Sequence, residues 1–436
     1  MALPPRPRGP GLYHFADWLF DPTGNFDRLF AKYGDMFTIR NPLFGDEVMV
    51  NHPELVKAVM TGDPAVFLGG EAGRPLAPIV GSRSILVLDG KDHERQRKLL
   101  LSPFQHAKMA AFADVMRASA ERVFDAWPRG KPFSLLPSMQ RITLDVILHC
   151  VFGASEGAEI EALREALVDV LDRAQSPLGM LLTLPALQRD LGPFTGWAGL
   201  KRAIAKADAL IYAMIAERRA SGKGRNDILS MLLSARDEAG DPMTDPELRD
   251  ELVTLLMAGH ETTATALCWA VDEIVRRRAV HDRIVAEATS PGGDFAYLDA
   301  TIKEVLRLRP LVPLIARKVA KTVALGDYEL PPGTLAVACA YLAQRHPAFW
   351  EAPAEFRPER FLGTKPHPYA WIPFGGGGRR CIGMAFALYE MRVVLAALLP
   401  RVPLEIPDAP AKVALRSFLF APARGPRVRV PITAQA

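Results

Sequence analysis

Cys381 lies in the run Phe374-Gly-Gly-Gly-Gly-Arg-Arg-Cys-Ile-Gly383, with an apolar, helix-like stretch from Met384 to Leu399 behind it. Glycines let a backbone fold tightly around a sulfur and bring N–H groups to it. A following helix N-terminus adds unpaired N–H groups and the positive end of a dipole. Such a loop suits a thiolate held against a metal, although a lone cysteine among apolar residues is commonly a buried packing residue. The same glycines do not make a phosphate loop, because no Gly-Lys-(Ser/Thr) follows. A second constellation is Ala258-Gly259-His260-Glu261-Thr262-Thr263. His260-Glu261 could open a zinc-protease H-E-x-x-H motif, but Ala264 stands where the second histidine is needed. Two spaced pairs complete the set. Glu304 and Arg307 are three apart, and His93 and Arg97 are four apart, so each pair shares one helix face.

The order Phe-x-x-Gly-x-Arg-x-Cys-x-Gly resembles the haem-binding loop of the cytochrome P-450 family, and the other constellations resemble that family's parts in the same order. The resemblance runs from the N-terminal strands to the last hairpin. It implies haem b as cofactor, with Cys381 as the iron ligand and Phe374 shielding the sulfur. Residues 258–263 resemble the oxygen-activating helix, in which Ala258 and Gly259 let the backbone approach the flat cofactor while Glu261 and Thr262 deliver protons to dioxygen. Thr-Thr in a helix can equally be packing, its hydroxyls bonded back to the previous turn. Glu304 and Arg307 resemble the family's E-x-x-R, and Pro358-Glu359-Arg360-Phe361 supplies the arginine that meets it. These three are expected to brace the haem pocket, stable only as a complete network. His93, Arg97, Arg317 and Arg379 are cast as donors to the haem propionates, a task that suits the guanidinium fork. One departure stands out. Ala343-Gln-Arg-His-Pro347 replaces the commoner Ala-His-Arg-Asp-Pro, which leaves the bonding of Gln344 and His346 open.

Composition agrees with a large globular enzyme. The chain has 436 residues, 49% hydrophobic and 23% charged, with a net charge of +4. That charge is too weak to imply nucleic acid, and no basic run is interleaved with aromatics. Cys150, Cys268, Cys339 and Cys381 are scattered, with no C-x-x-C pair, which fits a reducing cytoplasm. No signal peptide is visible, and no stretch reaches the roughly 18 apolar residues of a membrane span.

The positioning elements read as mostly α with small sheets near both ends, and the resemblance implies the family's triangular prism with a long helix across the haem. The chain is expected to be one domain: a β-containing part over about 1–90, a helical core over about 91–310, and a haem-loop and C-terminal β part over about 311–436. Asn25–Tyr33 reads as a helix, Met36–Arg40 and Glu47–Val50 as strands, and a helix begins near Pro53. Thr244-Asp-Pro-Glu247 is a capping box, and it opens a helix expected to run to Arg278. Tyr328–Ala340 is strand-like around a Pro331-Pro332-Gly333 turn, and 411–432 alternates as hairpins do.

By family position, the substrate pocket draws on Phe67, Ile79, Leu86, Met180, Leu181, Leu182, Leu255, Val312, Leu314, Phe418 and Leu419. That apolar lining implies an apolar small molecule such as a fatty acid, terpenoid, steroid or macrolactone. The chain holds no flavin or iron–sulfur module. Electrons are therefore expected from a ferredoxin or flavodoxin and its reductase, drawn to a ring of Arg95, Lys98, Arg380 and Arg392. The expected enzyme is a monomeric dioxygen-using monooxygenase. A haem sensor or carrier without turnover and a peroxide-driven peroxygenase are the other readings.

Overall fold

The structure is a computed structural model. It describes residues 3–101, 103, 112–153, 157–175, 195–222, 225–416 and 418–432. The chain forms two compact units, each assembled from separated stretches. The first takes residues 1–68, 113–142 and 262–436, and the second takes 69–112 and 143–261.

The first unit holds a five-stranded sheet in the spatial order Met36–Asn41, Gly45–Val50, Leu335–Cys339, Leu314–Val319, Phe67–Leu68. Only Gly45–Val50 and Leu335–Cys339 pair in parallel, with Val48 opposite Ala336. Alternation along the strands sends Val48, Val50, Ala336 and Ala338 to one face, where they pack with Val56, Val59 and Met60 of the helix Pro53–Thr61. Met49, Val337 and Cys339 face the other way, against Phe26 of the helix Pro22–Tyr33. Both faces are therefore covered, as a sheet with a buried parallel pair requires. The expected strand over 328–340 divides at its Pro-Pro-Gly turn. Tyr328–Leu330 pairs with Val323–Leu325, and Leu335–Cys339 joins the five-stranded sheet.

The helix Ala296–Leu308 is fixed at its start by Glu287, whose carboxylate accepts the N–H groups of Tyr297 (2.8 Å) and Leu298 (2.9 Å). It packs against the short turn Pro358–Phe361 and the helix Met384–Arg401. In the second unit the helices Ala158–Gln175 and Gly196–Ser221 pack together around Val170, Leu200 and Ala203. There the buried Arg218 is held by Asp227 (2.6 Å) and the Phe152 carbonyl (3.0 Å).

One helix, Asp245–Val275, runs from the second unit into the first. Its capping box forms as the sequence implies, with Thr244 N–H donating to Glu247 (2.7 Å) and Glu247 N–H donating to Thr244 Oγ1 (3.4 Å). It ends at Val275, short of the expected Arg278, which opens the next helix, Arg278–Thr289.

Candidate haem-thiolate site

The loop around Cys381 is shaped by close approach. Gly375 and Gly377 have φ of +68° and +62°, and a Cβ on Gly377 would fall 2.0 Å from the Met60 carbonyl oxygen. Glycine is thus required for the loop to press onto the helix Pro53–Thr61. The Cys381 N–H donates back to the Phe374 carbonyl (2.9 Å), closing the loop, and the helix Met384–Arg401 begins three residues later. Phe374 meets Trp371 edge to face at 6.2 Å. Cys381 is the exposed cysteine of the four; Cys150, Cys268 and Cys339 are buried. The loop therefore presents a thiol at a helix N-terminus, the donor that a haem iron needs.

Glu304, Arg307 and Arg360 come together. Glu304 accepts both arms of Arg307 (2.7 and 2.9 Å), the Arg357 N–H (2.8 Å) and Arg360 Nε (3.3 Å). Glu304 and Arg307 are fully buried. Arg307 also donates to the carbonyls of Gln344, Pro353 and Glu355, and its guanidinium lies 5.1 Å from the Trp350 ring.

Gln344 resolves the departure noted in the sequence. Its amide donates to the carbonyls of Leu306 (2.9 Å) and Arg307 (3.0 Å) at the helix C-terminus. Its side-chain oxygen accepts the Ile372 N–H (2.9 Å), two residues before Phe374. One buried carboxamide thus ties the brace to the strand of chain that enters the cysteine loop. His346 accepts the Ala348 N–H at Nδ1 (3.3 Å), so Nε2 carries the proton and donates to Asp35 (2.9 Å). Both unusual residues are bonded locally. The sequence showed the departure but not the partners.

Of the four expected propionate donors, the first unit holds two. Arg317 is buried and donates to the Ala316 carbonyl (2.9 Å) and Met60 Sδ (3.6 Å). Arg379 is half-buried in the turn Gly377–Arg379. A guanidinium fork is the donor type that pairs with carboxylates. In the second unit His93 is buried and Arg97 half-buried, one turn apart on the helix Gly90–Leu101.

The long helix is buried on almost every side between Leu248 and Ile274. The accessible residues there are Leu255, Met257, Ala258, Gly259 and Thr262. Leu255, Ala258, Gly259 and Thr262 follow the i, i+3, i+4, i+7 rule of one helix face. A strip of small residues ending in a hydroxyl is thus open in an otherwise buried helix, and it coincides with the motif. Its neighbours are fixed. Gly259 packs on Ile147, and His260 Nδ1 lies 2.9 Å from Thr143 Oγ1. Burial pushes the His260 pKa down, against the opposing pull of Glu261, so the imidazole is neutral at neutral pH. Glu261 is buried beside it.

Earlier on this helix lies a clamp that sequence reasoning passed over, because an acidic pair at a helix start reads as a solvated face. Asp250 accepts the Arg83 N–H (2.8 Å), Glu251 the Ile85 N–H (2.8 Å), and Thr254 bonds Ser84 (2.7 Å). Together they hold the segment that contains Leu86. Burial pushes the Glu251 carboxyl up to about 8, with the charges of Asp250 and Glu247 adding to it. The folded state therefore holds a proton that the unfolded chain releases above its ordinary carboxylate range. Stability from this group is fully present below about pH 4.5 and is lost as pH rises through about 8. We expect Glu251→Gln to flatten the pH dependence of unfolding free energy in that window by up to about 1.4 kcal/mol per pH unit. Urea titrations from pH 5 to 8 measure this, and an unchanged slope would contradict the assignment.

Of the expected pocket residues, Phe67, Ile79 and Leu419 are buried, Leu255, Val312 and Leu314 are half-buried, and Leu86 and Phe418 are exposed. Met180, Leu181 and Leu182 lie outside the described residues. The expected basic ring is largely neutralised. Arg95 pairs with Asp237 and Glu247, Lys98 with Glu238 and Arg392 with Asp299; Arg380 is exposed. No helix among the described residues is long and apolar enough to cross a membrane.

The chain resembles known proteins over nearly its whole length. The family model described as cytochrome P450 matches residues 5–425. Cytochrome P450 135B1 of Mycobacterium tuberculosis is 38% identical over 441 residues, covering 99% of this chain and 92% of that protein. Cytochrome P450 137 of the same organism is 39% identical, covering 92% of this chain and 84% of that protein. Among solved structures, the retinoic-acid-bound cyanobacterial CYP120A1 superposes with a TM-score of 0.84 at 24% identity, covering 99% of both chains. The haem domain of cytochrome P450DA superposes at 0.86 and 25% identity, covering 100% of this chain and 98% of that one.

Proposed function

Because this chain belongs to the cytochrome P450 family of haem-dependent monooxygenases, we propose that it uses haem b, held through Cys381, to insert one oxygen atom into an apolar small molecule. The open strip at Leu255, Ala258, Gly259 and Thr262 carries this reading, because a buried helix has no packing reason to expose a proton-donating hydroxyl beside two small residues. The haem iron, when bound, supplies the activation of dioxygen, and a thiolate ligand favours O–O cleavage.

The protein's own groups do the rest. The glycine loop and the helix start at Met384 stabilise negative charge on the sulfur. Arg317 and Arg379, with His93 and Arg97, would neutralise the propionates. Thr262 donates a hydrogen bond at the strip, and Glu261 resupplies its proton. His260 is buried with Nδ1 at Thr143 and is given no part in this relay. The substrate is an apolar small molecule such as a fatty acid, terpenoid, steroid or macrolactone, the class that suits the apolar pocket residues expected from family position. The whole chain acts as one catalytic domain in the cytoplasm, fed by a ferredoxin or flavodoxin and its reductase. The internal ion pairs of Arg95, Lys98 and Arg392 reduce their share in steering that partner.

The test is Thr262→Ala. Loss of one general-acid position typically costs about 10²-fold or more in rate. We expect product formation to fall by that order while electron consumption continues, with the released oxygen appearing as peroxide. Product per electron equal to wild type would remove Thr262 from proton delivery.

A further inference from the structure

His52, His346 and His367 are far apart in the sequence but meet around Phe349. The Phe349 ring lies 5.3 Å from His52, 5.6 Å from His346 and 5.4 Å from His367, and the His52 and His346 rings stand edge to face at 5.4 Å. Phe30 closes the group 5.7 Å from His346. Each imidazole also holds its own backbone. Nδ1 accepts the N–H two residues on, from Glu54, Ala348 and Tyr369, in each case at 3.3 Å. Nε2 then faces an acid, Asp35 for His346 (2.9 Å) and Glu54 for His367 (3.2 Å). The sequence set His346 apart, because aspartate is the commoner residue there. An aspartate could accept the Ala348 N–H as well, since short acidic side chains make that turn. It could not fill the place of a ring, and His346 is buried. The ring contacts are therefore what histidine adds at this position.

Those contacts fasten one end of a helix whose other end touches the cysteine loop. His52 caps the helix Pro53–Thr61, and Glu54 lies in its first turn. A helix of this length is a rod of about 13 Å. At its far end Met60 meets the loop. A Cβ on Gly377 would strike the Met60 carbonyl, and one on Gly376 would lie 3.5 Å from the Met60 side chain and 3.0 Å from the Tyr369 ring. Met60 Sδ also accepts from Arg317 (3.6 Å). The glycines before Cys381 are thus wedged between Met60 and Tyr369. Met60 is set by the helix that His52 starts, and Tyr369 by the turn that His367 closes. His346 is the buried member that joins them through His52 and Phe349. Close-packed groups in such a series transmit a displacement from one end to the other.

We propose that His346, packed with His52, His367 and Phe349, is a positioning residue for the cysteine loop: the ring cluster fixes the wedge of Met60 and Tyr369 against which Gly376 and Gly377 seat Cys381. This role presupposes Cys381 as the haem ligand. In the test, the holoenzyme is held at one temperature below its unfolding midpoint. The thiolate band of the reduced carbonyl complex is followed in time, and far-UV circular dichroism follows the fold. His346→Asn keeps an acceptor for the Ala348 N–H and removes the ring. It should lose the band about ten-fold faster than wild type, the scale of one or two lost aromatic pairs, while the dichroism stays native. His52→Asn keeps a good helix cap and should do the same from the other side of the contact. His346→Phe keeps the ring, and Ala348 is exposed, so its N–H can bond water instead. Its band should therefore last within about two-fold of the wild-type time, because the aromatic contacts remain. A band that decays at the wild-type rate in either asparagine variant would overturn the role. So would a His346→Phe protein as fast as His346→Asn, or band and dichroism lost together, since the cluster would then only support the fold. A wild-type protein with no thiolate band is a different failure: it removes Cys381 as the ligand, and the positioning role with it.

Discussion

Cys381→Ser gives a protein that folds and has lost its reaction. The two halves of that result come from different parts of the loop. Its shape rests on backbone: the glycines at 375 and 377, and the Cys381 N–H bonded to the Phe374 carbonyl. Serine keeps all of these. The change in stability therefore comes from weaker haem binding, since a group that binds the folded state stabilises it. The sulfur alone supplies a polarisable anionic donor, and a serine hydroxyl is not deprotonated at neutral pH. The expected readouts are cooperative unfolding, loss of the red-shifted Soret band that thiolate ligation gives the reduced carbonyl complex, and substrate turnover at background. A Cys381→Ser protein that kept that band would remove Cys381 as the ligand, whatever its activity.

The cysteine loop could be read from sequence because its determinants are local. Glycines, arginine and thiol lie within ten residues, and their order carries the chemistry. The capping box at Thr244 was legible for the same reason, since both partners lie within one helical turn. What sequence reasoning missed depends on partners far along the chain. Arg95 and Lys98 look like free surface cations in their own segment, yet Asp237 and Glu238 neutralise them from a distant turn. The parallel pairing of Gly45–Val50 with Leu335–Cys339 has no local signature either. The helix Gly11–Phe20 was hidden for another reason. Its apolar residues, from Trp18 and Phe15 round to Leu12 and Phe20, fill more than half of the helix circumference, so the sequence does not say which part packs inward. The acidic pair Asp250-Glu251 reads as solvated until Arg83 and Ile85 are seen to donate into it.

Glu304→Ala is expected to have the largest effect on stability, and the reason is what it leaves behind. Glu304 is fully buried and accepts from Arg307, Arg360 and the Arg357 N–H. Its removal leaves the Arg307 guanidinium buried without its carboxylate, and breaking one side of a buried pair costs about 3–5 kcal/mol. Against a total stability of roughly 5–15 kcal/mol, that is a large share. The loss also spreads. Arg307 holds the carbonyls of Gln344, Pro353 and Glu355, and Gln344 in turn holds the Ile372 N–H at the entrance to the cysteine loop. The brace and the thiol are therefore coupled through one carboxamide, which gives a graded series. Glu304→Ala and Arg307→Ala should yield mostly insoluble protein, with little haem in the soluble fraction. Gln344→Ala removes three hydrogen bonds but buries no unpaired charge, so it should cost about 1–3 kcal/mol and still fold. Its signature should be a thiolate band that decays faster on warming than the protein unfolds, because the loop loosens before the core does. Simultaneous loss of band and fold in Gln344→Ala, at the wild-type temperature, would show that the loop does not depend on this link.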